Sequence, residues 1–448
     1  LVTFLKSLSA SVFFCLVGQA QQTYFSVPAP DAPELAPRGA YHVGVRTIQL
    51  TNPNQVDILQ FDKATGKAPL TDRKLEIEVW YPAVIPAGQQ EQTVYSTTVP
   101  GSNHAADLPG KALRDAPPLS GEKFPLVIVS HGYPGSRTFL SYLTENLASK
   151  GYVVAAIDHT DSVAGAVKGF ESTLLNRSKD QLFTIHSIGE LTAKPDSFLY
   201  GLTDMNNVAV VGYSMGGYGA LTTAGAGLSK KSGLLSFVPG GYLADLMADS
   251  PQFQSTDRAM IKAMVAIAPW GEQPPQSAWD REGLANIHIP SLFISGDHDD
   301  VADFENGVKP AFEQAVNSER YLLVYENARH NTGGNPPTPG AILDYRGIES
   351  LEEPVWRKER IVEINQHFIT AFLDLYVKGI ESRRSYLRVP FVKSNDGKWD
   401  LPPGPHDDSA LSTGTDAKGN PFWKGFQRRW ALGLEMYYLP ASTPLHGK

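Results

Sequence analysis

The sequence predicts an α/β protein built on an open, mostly parallel sheet with helices on both faces. Three observations lead there. Short, β-branched, two-sided apolar runs recur along the chain, as strands buried on both faces require. Helix-compatible segments separate several of them. One run, Val208-Ala209-Val210-Val211, passes through Gly212-Tyr213-Ser214-Met215-Gly216 into a small-residue stretch from Gly217 to Gly225, a strand–turn–helix sequence.

With 448 residues, 42% of them hydrophobic, the chain can bury a large core. Residues 1–20 contain one lysine, Lys6, an apolar stretch from Val12 to Val17, and small residues at Gly18 and Ala20. They read as a secretory signal peptide, with a buried terminal strand as the alternative, so the protein is expected to be secreted or periplasmic, with no integral membrane span in the mature chain. Cys15, the sole cysteine, falls in this leader; the mature chain then has no disulfide, no thiol nucleophile and no cysteine-ligated metal. The proline- and alanine-rich residues 28–37 lie in a linker, 21–39.

The main domain is expected over 40–394. Strands at His42–Leu50 and Lys74–Tyr81 form a meander. The buried parallel strands follow at Pro125–Ser130, Tyr152–Ile157, Val208–Val211, Met264–Ala268, Ser291–Ser295 and Tyr321–Tyr325. Helices are predicted at Thr138–Lys150, at Ser178–Leu191 with Ser178 as cap and Asp180 in the first turn, and at Ala311–Val316. Trp356–Lys378 sets Ile361, Ile364, Phe368, Phe372 and Leu375 on one face, a long amphipathic helix for the sheet. Residues 228–260 form a lid-like insertion, or an extra helical layer on the core. The tail, 395–448, is rich in Gly, Pro and Asp until Phe422-Trp423 and Trp430–Leu439, and is expected to pack on the domain as a belt. The net charge, 39 basic against 47 acidic residues or −8, with only short basic pairs such as Lys230-Lys231 and Arg428-Arg429, argues against a nucleic-acid surface.

A serine hydroxyl is a poor nucleophile until a base takes its proton, so the Gly-Tyr-Ser-Met-Gly turn carries chemistry only if an acid and a histidine follow. Both follow, each after a strand: Gly296-Asp297-His298-Asp299-Asp300-Val301, then Glu326-Asn327-Ala328-Arg329-His330. Ser214, Asp299 and His330 are therefore the predicted nucleophile, acid and base, in the chain order of an α/β-hydrolase. Asp297 closing an Asx-turn, and Asp300 and Asp303 facing solvent, are the readings of the neighbouring carboxylates. A metal site formed with His298 is the rival for this cluster, but its spacing matches no calcium loop. Acyl transfer also needs donors for an oxyanion. The amide of Met215 is one, and His131-Gly132-Tyr133-Pro134-Gly135 offers the amide of Tyr133 as the other. The Tyr133 ring and Trp270, after another strand, are expected to flank the substrate at the same mouth; core aromatics are the alternative. His367, His406 and His446 are read as structural or tail residues.

The stretch from Ser130-His131-Gly132-Tyr133-Pro134-Gly135-Ser136-Arg137 through Leu147-Ala148-Ser149-Lys150-Gly151-Tyr152-Val153-Val154-Ala155-Ala156-Ile157-Asp158-His159 resembles the platelet-activating-factor acetylhydrolase and dienelactone-hydrolase-like branch of the α/β-hydrolases. The resemblance extends over most of 40–385 and implies Ser214, Asp299 and His330 as a triad. Tyr133, Met215 and Trp270 are similar, type for type, to the oxyanion and aromatic-clamp positions of secreted bacterial polyester hydrolases. Dienelactone hydrolases use a cysteine nucleophile, which this chain lacks, so lactone specificity does not carry over. The expected activity is hydrolysis of a carboxylic ester of small-molecule, lipid or polymer type through an acyl-enzyme, with no cofactor and no metal. A serine peptidase or a non-enzymatic binding protein are the rivals.

Overall fold

A computed structural model describes residues 24–102, 104–397, 415, 419, 421–427 and 429–442. The leader expected at 1–20, with Cys15, lies outside the described residues, as does most of the tail before Pro421. The strands are β1 His42–Val56, β2 Leu70–Ala83, β3 Thr93–Thr98, β4 Ala105–Gly110, β5 Leu113–Arg114, β6 Phe124–Ser130, β7 Val153–Asp158, β8 Thr203–Tyr213, β9 Ile261–Ile267, β10 Ser291–Gly296, β11 Arg320–Tyr325 and β12 Leu434–Leu439. Ten of them form one sheet in the order β12-β11-β10-β9-β8-β6-β7-β2-β1-β5, while β3 and β4 pair as a separate antiparallel hairpin. The strands from β7 through β6, β8, β9 and β10 to β11 run parallel; β1 and β2 are the expected antiparallel meander.

Because successive side chains on a strand point to opposite faces, each apolar run feeds two cores. Leu126, Ile128, Val208 and Val210 enter one core, whereas Val127, Val129, Ala209 and Val211 enter the other. The helices are α1 Ser141–Ser149, α2 Phe170–Ala193, α3 Met215–Ala224, α4 Pro251–Ser255, α5 Arg281–Ala285, α6 Lys309–Gln314, α7 Tyr345–Leu351, α8 Lys358–Tyr376 and α9 Arg384–Leu387. α2 and α3 cover the first face with Leu174, Ile185, Ile188 and Leu221; α1 and α8 cover the second with Leu143, Leu147, Ile364, Phe368 and Phe372.

The helix predicted from Ser178 starts two turns earlier, at Phe170, with Gly169 at its N-cap. Burial of Leu174 and Leu175 draws the preceding turns into the helix, so Ser178 is a buried mid-helix residue and not a cap. Asp180 consequently meets no helix N-terminus. Its carboxylate accepts from Arg73 Nε at 2.7 Å and lies 2.8 Å from His159 Nδ1.

Within 228–260, Leu234, Val238, Leu243 and Leu246 join the α2/α3 core, while Phe237 stays half exposed. In the tail, Trp423, Phe426, Leu434 and Met436 are buried with α8, and β12 pairs antiparallel with β11 to end the sheet.

Candidate active site

Between β8 and α3, Ser214 is held at φ 53°, ψ −115°, a region that L-residues populate sparsely. The two glycines of the turn make this fold possible. A Cβ on Gly212 would lie 2.0 Å from the Gly216 carbonyl oxygen, and one on Gly216 would lie 2.0 Å from that of Ser130. The Ser214 amide donates to Ile267 O at 2.8 Å, and the Ser214 carbonyl accepts from the Trp270 amide at 3.1 Å, locking the turn between β9 and the segment after it.

His330, in the loop after β11, lies with Nε2 2.9 Å from Ser214 Oγ, and Nδ1 2.9 Å from both oxygens of Asp299. Asp299 is buried. Burial alone would raise its pKa, but the adjacent His330 ring and the amides of Ala302 and Val301, donating at 2.8 and 3.0 Å, outweigh it and hold the carboxyl below the ordinary range. Tyr213 stacks on Phe139 on one side and lies 5.4 Å from the His330 ring on the other. The neighbouring acids have other partners. Asp297 accepts from the Asn327 amide at 2.6 Å and pairs with His298, Asp300 pairs with Arg329 at 2.6 Å, and Asp303 accepts from the Asn306 amide at 3.0 Å. Among the described residues, no group of three or more His, Cys, Asp or Glu is placed to hold a metal ion.

Met215 opens α3, so its N–H is among those a helix N-terminus leaves without an intrahelical acceptor. Tyr133 lies in the loop after β6; Pro134, Tyr133, Ser214 and His330 share a cavity of about 370 Å³ with Phe139, Tyr213, Arg329, Asn331, Glu349 and Ser350. Trp270 is not among the residues that line this cavity; its amide bonds the Ser214 carbonyl, and a residue not singled out in the sequence stands between its ring and that of Tyr133. Phe170 meets the Tyr133 ring edge-on at 5.1 Å, Trp270 at 5.4 Å and Phe237 at 6.0 Å. A phenylalanine opening a helix carries no sequence signal of this role.

Beneath the Tyr133 loop lies a polar network that the sequence also did not reveal. Ser130 Oγ is 2.8 Å from His159 Nε2, and Arg177 donates to the His131 carbonyl and to Ser162 Oγ, each at 2.6 Å. Arg73 bridges Asp161 and Asp180. Burial, reinforced by the Arg177 cation, pushes His131 and His159 well below the usual histidine pKa.

The family profile described as platelet-activating factor acetylhydrolase, isoform II, matches residues 94–190, which include Tyr133 and His159. The platelet-activating factor acetylhydrolase of Cavia porcellus is 35% identical over 77 residues, 17% of this chain and 18% of that protein. Cutinase est1 of Thermobifida alba is 24% identical over 214 residues, 48% of this chain and 55% of that protein. The matched regions thus span about half, or less, of the length of these relatives. A ferulic acid esterase from Streptomyces cinnamoneus superposes with a TM-score of 0.53 at 21% identity, over 78% of this chain and 94% of that one, which establishes the fold. With its parallel sheet and its serine-bearing turn at the end of β8, the chain has the α/β-hydrolase fold and is similar over part of its length to platelet-activating factor acetylhydrolases and cutinases.

Proposed function

We propose that the protein is a serine carboxylic-ester hydrolase. The observation that carries this reading is the unbroken line from Ser214 Oγ through the His330 ring to Asp299, all at 2.9 Å, at the end of a strained strand–helix turn. His330 Nε2 takes the Ser214 proton as Oγ attacks the ester carbonyl carbon, and the carbonyl π electrons move to oxygen. The amides of Tyr133 and Met215 donate to that oxyanion. Collapse breaks the bond to the alcohol, which leaves with the proton from His330. Water then repeats the cycle on the acyl-enzyme, releasing the carboxylic acid and free Ser214. Asp299, held below the ordinary carboxyl range by the His330 ring and then by its amide donors, fixes the ring tautomer and stabilises the imidazolium.

The substrate class is a small-molecule, lipid or polymer ester, and the net charge of −8 favours these over nucleic acid. Similarity to cutinases over 48% of the chain supports a polymer ester as a second reading. Secretion rests on the leader-like residues 1–20; among the described residues no helix is long and apolar enough to cross a membrane. The test is a chain-length series of p-nitrophenyl esters, with a phospholipid and a polyester film alongside, run on the wild type and Ser214→Ala. The variant should fold normally and retain no more than roughly 10³–10⁴-fold acceleration over water. Wild-type turnover in folded Ser214→Ala would sink the assignment.

A further inference from the structure

His330 sits in a loop, yet its ring must keep two hydrogen bonds at once, and loops do not ordinarily hold such geometry unaided. The residues on either side of it are tied to a single buried carboxylate. Glu353 lies between α7 and α8 and is 5% exposed. Its Oε2 accepts from the Arg329 amide and its Oε1 from the Asn331 amide, both at 2.7 Å. We propose that Glu353 is a positioning residue for His330, clamping the two peptide groups that flank it so that the imidazole meets Ser214 and Asp299 together. The inference rests on the ester-hydrolase reading above.

Hydrogen bonds to an ionised acceptor are about twice as strong as neutral ones, and two of them from one rigid carboxylate restrict both peptide planes next to the His330 Cα. The rest of the loop is braced in the same sense. Asn331 Nδ2 donates to Glu349 O at 2.7 Å and Glu352 O at 2.9 Å, and the buried Lys358 ammonium donates to the Asn331 carbonyl. Pro354 biases Glu353 towards extended backbone, which suits a residue reaching sideways between two helices. Asp299 also accepts two backbone amides, so acid and base are each anchored by a carboxylate gripping the chain. Sequence offers no pointer to this role, because Glu353 is one of an exposed-looking Glu352-Glu353 pair.

The test is Glu353→Gln, which keeps the side chain's shape and one acceptor but sets an amide NH2 against the other backbone N–H. Three readouts are taken on folded protein: kcat and KM for p-nitrophenyl acetate, the rate at which a fluorophosphonate labels Ser214, and the downfield proton resonance of the His330 Nδ1–H. A displacement of the order of 1 Å costs about 10²-fold, so kcat and labelling should both fall roughly 10- to 100-fold, with KM changed less than about threefold. The downfield resonance should broaden or vanish. Lys358→Met, which leaves both clamping bonds, should move the same readouts less. Labelling of Glu353→Gln at the wild-type rate per folded molecule would overturn the inference, even if its melting temperature drops, since Glu353 would then serve the fold alone. If wild-type protein is not labelled at Ser214, the ester-hydrolase reading fails and takes the clamp with it.

Discussion

Among the crowded carboxylates from Asp297 to Asp303, Asp299 turns both oxygens to His330, while Asp297, Asp300 and Asp303 hold an amide, an arginine and a local turn. Asp299→Asn should therefore lower kcat by about 10⁴-fold, because an amide cannot fix the tautomer, whereas Asp297→Asn and Asp300→Asn should cost less than about tenfold. Steady-state kinetics of the three variants on one ester check this, and the reverse ranking would move the acid to a neighbour. Behind Tyr133, which lines the cavity, Phe170 packs edge-on to Tyr133, Trp270 and Phe237. Phe170→Ala removes the ring that backs Tyr133 and, by making room beside it, should raise kcat/KM for octanoate relative to acetate esters by about tenfold or more, as each extra methylene accommodated in an apolar pocket is worth about 1–3 kcal/mol. Trp270→Ala should instead raise KM for long or aromatic esters more than for acetates; equal effects on all esters would mean that the indole supports the fold.

At the scale of elements, the turn between β8 and α3 tolerates no side chain at its two glycines. Gly216→Ala would drive a methyl group into the Ser130 carbonyl, and since Ser130 leads into the Tyr133 loop, the clash reaches both Ser214 and the proposed oxyanion donors. Soluble Gly216→Ala with unchanged kcat, measured on the same ester series, would contradict that account. The edge strand β12 is the other decisive element. It covers the open edge of β11 and buries Leu434 and Met436 beside α8. Leu434→Ala should cost about 2–5 kcal/mol in urea unfolding. Removing β12 altogether should expose the unpaired edge of β11 and produce aggregation, visible by light scattering at temperatures where the wild type stays clear.

For the whole molecule, the buried histidines set a pH response. His131, His159 and His367 are all held well below the ordinary histidine pKa, first by burial and then by nearby cations, Arg177 for the first two and Lys150 for the third. In the unfolded chain they bind protons near pH 6.5, so below that pH the unfolded state takes up more protons and stability falls. Each contributes a slope of up to about 1.4 kcal/mol per pH unit, opposed on the acid side by the carboxyls that burial raises, Glu272 to about 7 and also Glu145, Asp158 and Glu363. Urea melts at pH 7 and 5 should show a clear loss of stability on acidification; unchanged midpoints would mean the histidines are not desolvated. The central strands, the α8 stripe, the serine turn and the order of serine, acid and histidine were legible in the sequence, because two-sided burial, helical spacing and tight glycine turns are local patterns. The start of α2, the β3–β4 hairpin, the closing strand β12, and the placements of Phe170 and Glu353 were not. Apart from the local β3–β4 hairpin, each depends on partners far along the chain: Arg73 with Asp180, 107 residues apart, or β12 with β11 across the tail. Local pattern determined which segments could be strands and which side chains could do chemistry. The pairing of Arg73 with Asp180, the packing of Phe170 on Tyr133 and Trp270, and the grip of Glu353 on the amides flanking His330 were decided by tertiary packing, because only the folded chain brings distant carboxylates, amides and rings within hydrogen-bonding or van der Waals reach.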